Sequence, residues 1–136
     1  MSVDGSTHEV SFVKAFILKG RQERAIFLLS HPRRRRDFTS ELNHLKWLDP
    51  RFARLIPPTQ AHSSDEWVSL LRKKGAKDTV WVISSDETID GREMEIQEAM
   101  KGIWGGDCGT ILSCIPGRLC FFRGEEMKSE RLLERT

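Results

Sequence analysis

The stretch "HPRRRRDFTSELNHLKW", residues 31–47, places four consecutive arginines, Arg33–Arg36, directly after Pro32. Guanidinium groups recognise phosphate and carboxylate through paired hydrogen bonds. With a helix starting at Pro32, successive side chains turn by about 100°. Arg34 then projects on the Phe38 side, Arg35 at its flank, and Arg33 and Arg36 from the back. The four wrap the first turn and make no single flat patch. Each cation at a helix N-terminus loses about 0.3–1 kcal/mol, so this is a place to look for an anion. The candidate anion- or partner-binding residues are Arg33, Arg35 and Arg36, joined by Arg51 and Arg54 of the next segment. Trp47 beside Lys46, and Phe52 between Arg51 and Arg54, are the interleaved aromatic residues that base stacking would use. The plainer expectation is a solvated helix start whose long stems cover apolar surface.

A second candidate is "SSDETIDG", residues 84–91, which follows an expected strand and precedes an expected helix. Ligands of α/β sheets gather at such carboxyl ends, which makes Ser84, Ser85, Asp86 and Asp90 a possible ligand loop. Asp90 has the simpler role of helix cap, with Glu93 completing a capping box. The histidines His8, His31, His44 and His62 show no metal-ligand spacing and have no cysteine nearby in sequence. No metal and no cofactor is therefore expected. Cys114 and Cys120 read as small core residues on opposite faces of a hairpin, and Cys108 as the accessible thiol, without a local base. "GGDCG" opens a strand where a phosphate cradle would open a helix. One enzymatic reading remains, a metal-dependent phosphodiesterase. It would pair Glu126-Met127-Lys128 with Asp107 or Asp86. No set of acid, base and nucleophile appears together, so no catalytic residue is assigned.

These residues must be positioned by elements that the hydrophobic periods outline. Ser6 and Glu9 have capping-box spacing ahead of Val10, Val13, Phe16 and Ile17. A second helix is expected over about 21–30 with Ala25, Leu28 and Leu29 inward. A third runs from Pro32 to about 47 on Phe38, Leu42 and Leu45. Pro50, Pro57 and Pro58 make 49–62 a proline-rich connection. Ser63 and Glu66 cap the next helix, which Gly75 ends. "TVWVIS" (79–84) is a strand with both faces covered, and a helix follows from Asp90. "GTILSCI" and "RLCFFR" are strands around a Pro116-Gly117 turn. Ser113 is expected opposite Cys120, Cys114 opposite Leu119 and Ile115 opposite Arg118. The expected fold is a single α+β domain. Residues 1–5 are a loose N-terminus and 6–48 a basic three-helix part. Residues 63–124 form an α-β-α-β-β part with a small mixed sheet ending in the Pro-Gly hairpin, and 125–136 are a charged tail. Were the two strands flanking the 90–104 helix parallel neighbours, their crossover would be right-handed.

At 136 residues the chain is long enough for one core without metal or disulfide staples. Its net charge of +2 argues against a protein that coats nucleic acid. The distribution is uneven: Lys14–Arg54 carries eleven basic and four acidic residues, and the remainder eleven basic and sixteen acidic. Such asymmetry implies a charged partner, or two parts that dock on each other or on a second copy. The absence of a long apolar run, a signal-peptide pattern and paired cysteine spacing leads to the expectation of a cytoplasmic protein with no membrane partner. The leading functional expectation is a non-enzymatic domain binding an acidic protein surface or itself, as a homo-oligomer. Nucleic-acid or phosphate binding through Arg33–Arg36 is the alternative, and the phosphodiesterase the third.

Overall fold

The computed structural model describes residues 5–57, 59–104, 106–125 and 129–135. It is an α+β fold whose six strands form one sheet, in the order β1-β6-β5-β4-β2-β3. The strands are β1 (Ala53–Arg54), β2 (Thr79–Ser84), β3 (Arg92–Glu95), β4 (Thr110–Ile115), β5 (Leu119–Arg123) and β6 (Arg131–Glu134). Helices cover both faces. On one side lie α1 (Gly5–Phe16), α2 (Gln22–Ser30) and the short α3 (Arg35–Thr39), and on the other α4 (Ser64–Lys73) and α5 (Ile96–Ile103).

The two covered faces explain why the strands are apolar almost without interruption. Side chains alternate across a strand. Ile83, Ile111, Cys120, Phe122 and Leu133 therefore meet Phe12, Phe16, Leu28 and Phe38 in one core. Their neighbours Val82, Leu112, Phe121 and Leu132 meet Trp67, Leu71, Ile96 and Met100 in the other. Trp81, in the strand expected to be covered on both faces, is only half-buried, while Ile83, Ile111, Leu112, Leu119 and Phe121 are buried.

Several local expectations are met. Ser63 caps α4, accepting the Glu66 amide at 3.2 Å, and its hydroxyl reaches Glu66 Oε1 at 3.1 Å. Gly75, at φ +113°, closes the other end: its amide donates to the Arg72 carbonyl and that of Ala76 to the Leu71 carbonyl, a Schellman motif. Gly117, at φ +72°, takes the turn position that needs positive φ. Ser113 pairs with Cys120 as expected, but a bulge at Cys114 puts Ile115, not Cys114, opposite Leu119. All three cysteines are free, and Cys114 and Cys120 lie in different cores.

Other expectations are corrected. The sheet is antiparallel at every pairing, not mixed, and β2 and β4 are antiparallel neighbours, so the crossover rule does not apply. The helix expected from Asp90 begins only at Ile96. Residues 92–95 form an edge strand on β2 instead, and Glu95, not Asp90, caps α5 by accepting the Glu98 amide at 2.9 Å. The third helix starts at Arg35 and ends at Thr39, followed by 3-10 turns at Ser40–Asn43 and Leu45–Trp47; the Leu45 side chain lies outside the described residues. Tertiary bonds override helix propensity there. Asn43 Oδ1 accepts from the Gly109 amide at 2.7 Å and from Ser85 Oγ at 3.1 Å. A Cβ at Gly109 would overlap the Leu42 backbone, so only glycine permits this approach. Ser6 lies inside the first turn of α1, and Glu9 bonds to distant residues in place of a capping box. The proline-rich connection contributes β1, and the expected tail contributes β6, whose Leu132 and Leu133 are fully buried.

Candidate functional site

The arginine run resolves into four unlike environments. Arg35, not Arg34, is the inward side chain. Its Nη1 and Nη2 donate to Glu9 Oε1 and Oε2, each at 2.7 Å, and its Nε and Nη2 to Asp90 Oδ2 and Oδ1 at 2.9 and 3.0 Å. Nη1 also donates to the Leu29 carbonyl at 3.1 Å, so all five guanidinium N–H groups are used. Burial alone would lower the Arg35 pKa; hydrogen bonds to Asp90 and Glu9, then their charges, outweigh it, and the net direction is up. Trp81 Nε1 adds a 2.9 Å bond to Glu9, and the Ser84 amide a 3.0 Å bond to Asp90. This cluster lines a cleft of about 610 Å³ together with Val10 and Leu29. Both carboxylates accept bonds from a cation that stays charged. The cluster works as a clasp joining α1, α3 and the loop before β3.

The remaining candidate arginines sit at the surface. Arg34 pairs with Asp37 at 2.8 Å, Arg36 with Glu87 at 2.9 Å, Arg51 with Asp49 at 2.6 Å and Arg54 with Glu134 at 3.3 Å. The hydrogen bonds from Arg51 hold the Asp49 carboxyl below its usual range. Arg33 is exposed and forms no ion pair among the described residues. The structure therefore does not gather Arg33, Arg35, Arg36, Arg51 and Arg54 into one surface.

The loop candidates are held internally. Ser84 Oγ bonds Thr110 Oγ1 at 2.7 Å and accepts the Asp86 amide, Ser85 donates to Asn43, and Asp86 accepts from Thr88 at 2.6 Å. Asp90 belongs to the clasp. Among the described residues no group of three or more His, Cys, Asp or Glu side chains is placed to hold a metal. Glu126, Met127 and Lys128 lie outside the described residues. Burial pushes the Cys120 thiol up to about 12 and raises Cys114 as well. Cys108 is less buried, with Sγ 3.9 Å from Asp107 Oδ1.

Two surface features were not singled out from sequence. The first is an open apolar groove of about 840 Å³ lined by Leu55, Ile56, Pro57, Trp67 and Trp104, with His62 and Glu130 at its rim. Leu55 is 63% exposed. Beneath Trp104 lies Arg123, 5.0 Å from the ring centre, donating to the Ile103 carbonyl at 3.1 Å. Its Nε–H has no hydrogen-bond partner among the described residues, the nearest carboxylate oxygen being that of Glu130 at 4.0 Å. The pair Leu55-Ile56 ahead of two prolines was the available signal, and the proline-rich context hid it. The second feature is Phe27 on α2, 41% exposed, with the guanidinium carbons of Arg24 and Arg34 each 5.8 Å from its ring centre.

Comparison of the chain with protein-family models, curated proteins and solved structures gives no match. No described helix is long and apolar enough to cross a membrane.

Proposed function

We propose that this chain is a small non-enzymatic protein-binding or self-associating domain, working in the cytoplasm, whose contact surface is the groove between residues 55–57, 61 and 62, α4 and Trp104. The observation that carries this reading is the exposed Leu55 beside two tryptophans. Solvent-facing apolar surface of this kind, rimmed by polar groups, is what association covers. Trp67 also packs edge-on against Phe121 at 4.9 Å, so the groove has a rigid floor. A rigid aromatic floor limits the entropy lost on binding.

The test compares the wild type with Leu55→Glu, by light scattering of the isolated chain and by affinity capture. Association is expected in one assay or the other and should be lost in the variant. The melting temperature should not change, because Leu55 contributes little to the core. Identical self-association and identical capture profiles for the two proteins would overturn the proposal.

A further inference from the structure

We infer that the outer face of α2 binds single-stranded nucleic acid, using Phe27 as a base-stacking platform between cations. This surface lies on the opposite side of the sheet from the groove and is independent of the function proposed there. Arg21, Arg24, Phe27 and His31 follow one another at spacings of three or four residues, which sets them in one stripe along the helix. The stripe is about 15 Å long at 1.5 Å rise per residue. Aromatic rings and cations alternate along it. The guanidinium carbon of Arg21 lies 5.3 Å from the Trp47 ring centre, those of Arg24 and Arg34 flank Phe27, and the His31 ring is 4.3 Å from Phe27.

Of the original arginine candidates only Arg33 is left without an ion pair among the described residues, and it joins a set of open cations in and around α2. Lys19, Arg21, Arg24, Arg33 and Lys46 are exposed and form no ion pair among the described residues. The nearby acids are Glu23, and Asp37 on Arg34. The aromatic residues are also pre-set. His31 Nδ1 lies 2.7 Å from the Phe27 carbonyl, which keeps its ring against Phe27, and Trp47 packs edge-on against the buried Phe38 at 5.6 Å. Cations that accept phosphate beside a ring that accepts the face of a base are the two elements of single-strand recognition. A duplex keeps its bases stacked inside and offers Phe27 nothing, and an acidic protein offers charge without a flat ring.

The test is fluorescence anisotropy with a short labelled oligouridylate, a duplex of the same length, and polyglutamate as competitor. The single strand is expected to bind more tightly than the duplex and to weaken steeply with salt. Phe27→Ala should lower single-strand affinity about 5- to 150-fold, the range for one lost stacking platform, without altering the salt slope. Phe27→Leu, which keeps the apolar bulk, should lose nearly as much. Arg21→Gln with Arg24→Gln should make the salt slope shallower by about 1.4, at roughly 0.7 per phosphate contact. Absence of binding at low salt would overturn the inference. So would equal binding of single strand and duplex with no effect of Phe27→Ala, or displacement by polyglutamate as efficient as by unlabelled oligonucleotide, since either marks a generic polyanion surface.

Discussion

Replacing Arg35 leaves Glu9 and Asp90 facing each other in a cleft, both largely shielded from water. At side-chain exposures of 19%, 11% and 15% for Arg35, Glu9 and Asp90, that charge is poorly screened. Removing one partner of a buried ionic group costs about 3–5 kcal/mol, and partial exposure puts Arg35→Met near the lower end, about 3 kcal/mol. The adjacent Arg36 and its partner Glu87 are 78% and 70% exposed, so Arg36→Gln should change stability by less than about 0.5 kcal/mol. Urea unfolding of the two variants, at unchanged slope, measures the difference. Equal losses would mean that Arg35 is not the clasp described. Sequence periodicity located the arginines but misjudged which one turns inward, because the helix starts only at Arg35: Arg34 is its N-cap, so the helical spacing that would align it with Phe38 does not hold there.

At the scale of elements, β2 is the strand on which both cores depend. Ile83 is fully buried, and Ile83→Ala should cost about 2–5 kcal/mol in a denaturation experiment. A loss under about 1 kcal/mol would displace β2 from the centre of the fold. One edge of the sheet is β3, the other being the two-residue β1. The Ile96 amide donates to the Asp78 carbonyl at 2.8 Å, and in the alternation of an antiparallel ladder this turns the backbone groups of Glu93 and Glu95 outward. Two copies pairing antiparallel at this edge would set glutamate against glutamate. Like charges directly opposite are unfavourable, so β3 is guarded against extending the sheet. Residues 92–95, R-E-M-E, carry too little β-branched or alternating character to read as a strand. They extend because β2 offers an unpaired edge beside them, a tertiary cause that no local window contains.

At the scale of the molecule, the basic first part and the acidic later part meet through ion pairs. Arg35 with Asp90, Arg36 with Glu87, and Arg54 with Glu134 are each contacts across that division. Much of the charge asymmetry is thus answered within the chain. Among the described residues, the cations of the first part left without an ion pair are Lys14, Lys19, Arg21, Arg24, Arg33 and Lys46. The C-terminal residues are equally part of the whole, since β6 lies between β1 and β5 and fills both cores with Leu132 and Leu133. A chain ending at Gly124 should fail to fold, because the lost burial, about 1.5–3 kcal/mol for each leucine, comes with an exposed apolar edge on β5. Its far-ultraviolet circular dichroism should show no cooperative melting. A cooperative transition near that of the full chain would show that β6 is dispensable.

The sequence by itself determined the elements whose signals are local. These are the Ser63–Glu66 cap, the Gly75 stop, the apolar strand 79–84 and the Pro116-Gly117 turn, each governed by a few consecutive residues. It also determined that Cys114 and Cys120 are kept apart, since strand alternation alone separates them. The tertiary structure decided what depends on distant neighbours: the antiparallel direction of the strand pairs other than the β4–β5 hairpin, and the short strands β1, β3 and β6, whose pairing energy comes from partners far away in the chain. It also decided the inward turn of Arg35. The apolar groove and the stripe on α2 belong to the same class. Phe27 looks like an ordinary core residue in sequence and Leu55 sits in the proline-rich connection, and only packing shows that the core was completed without them.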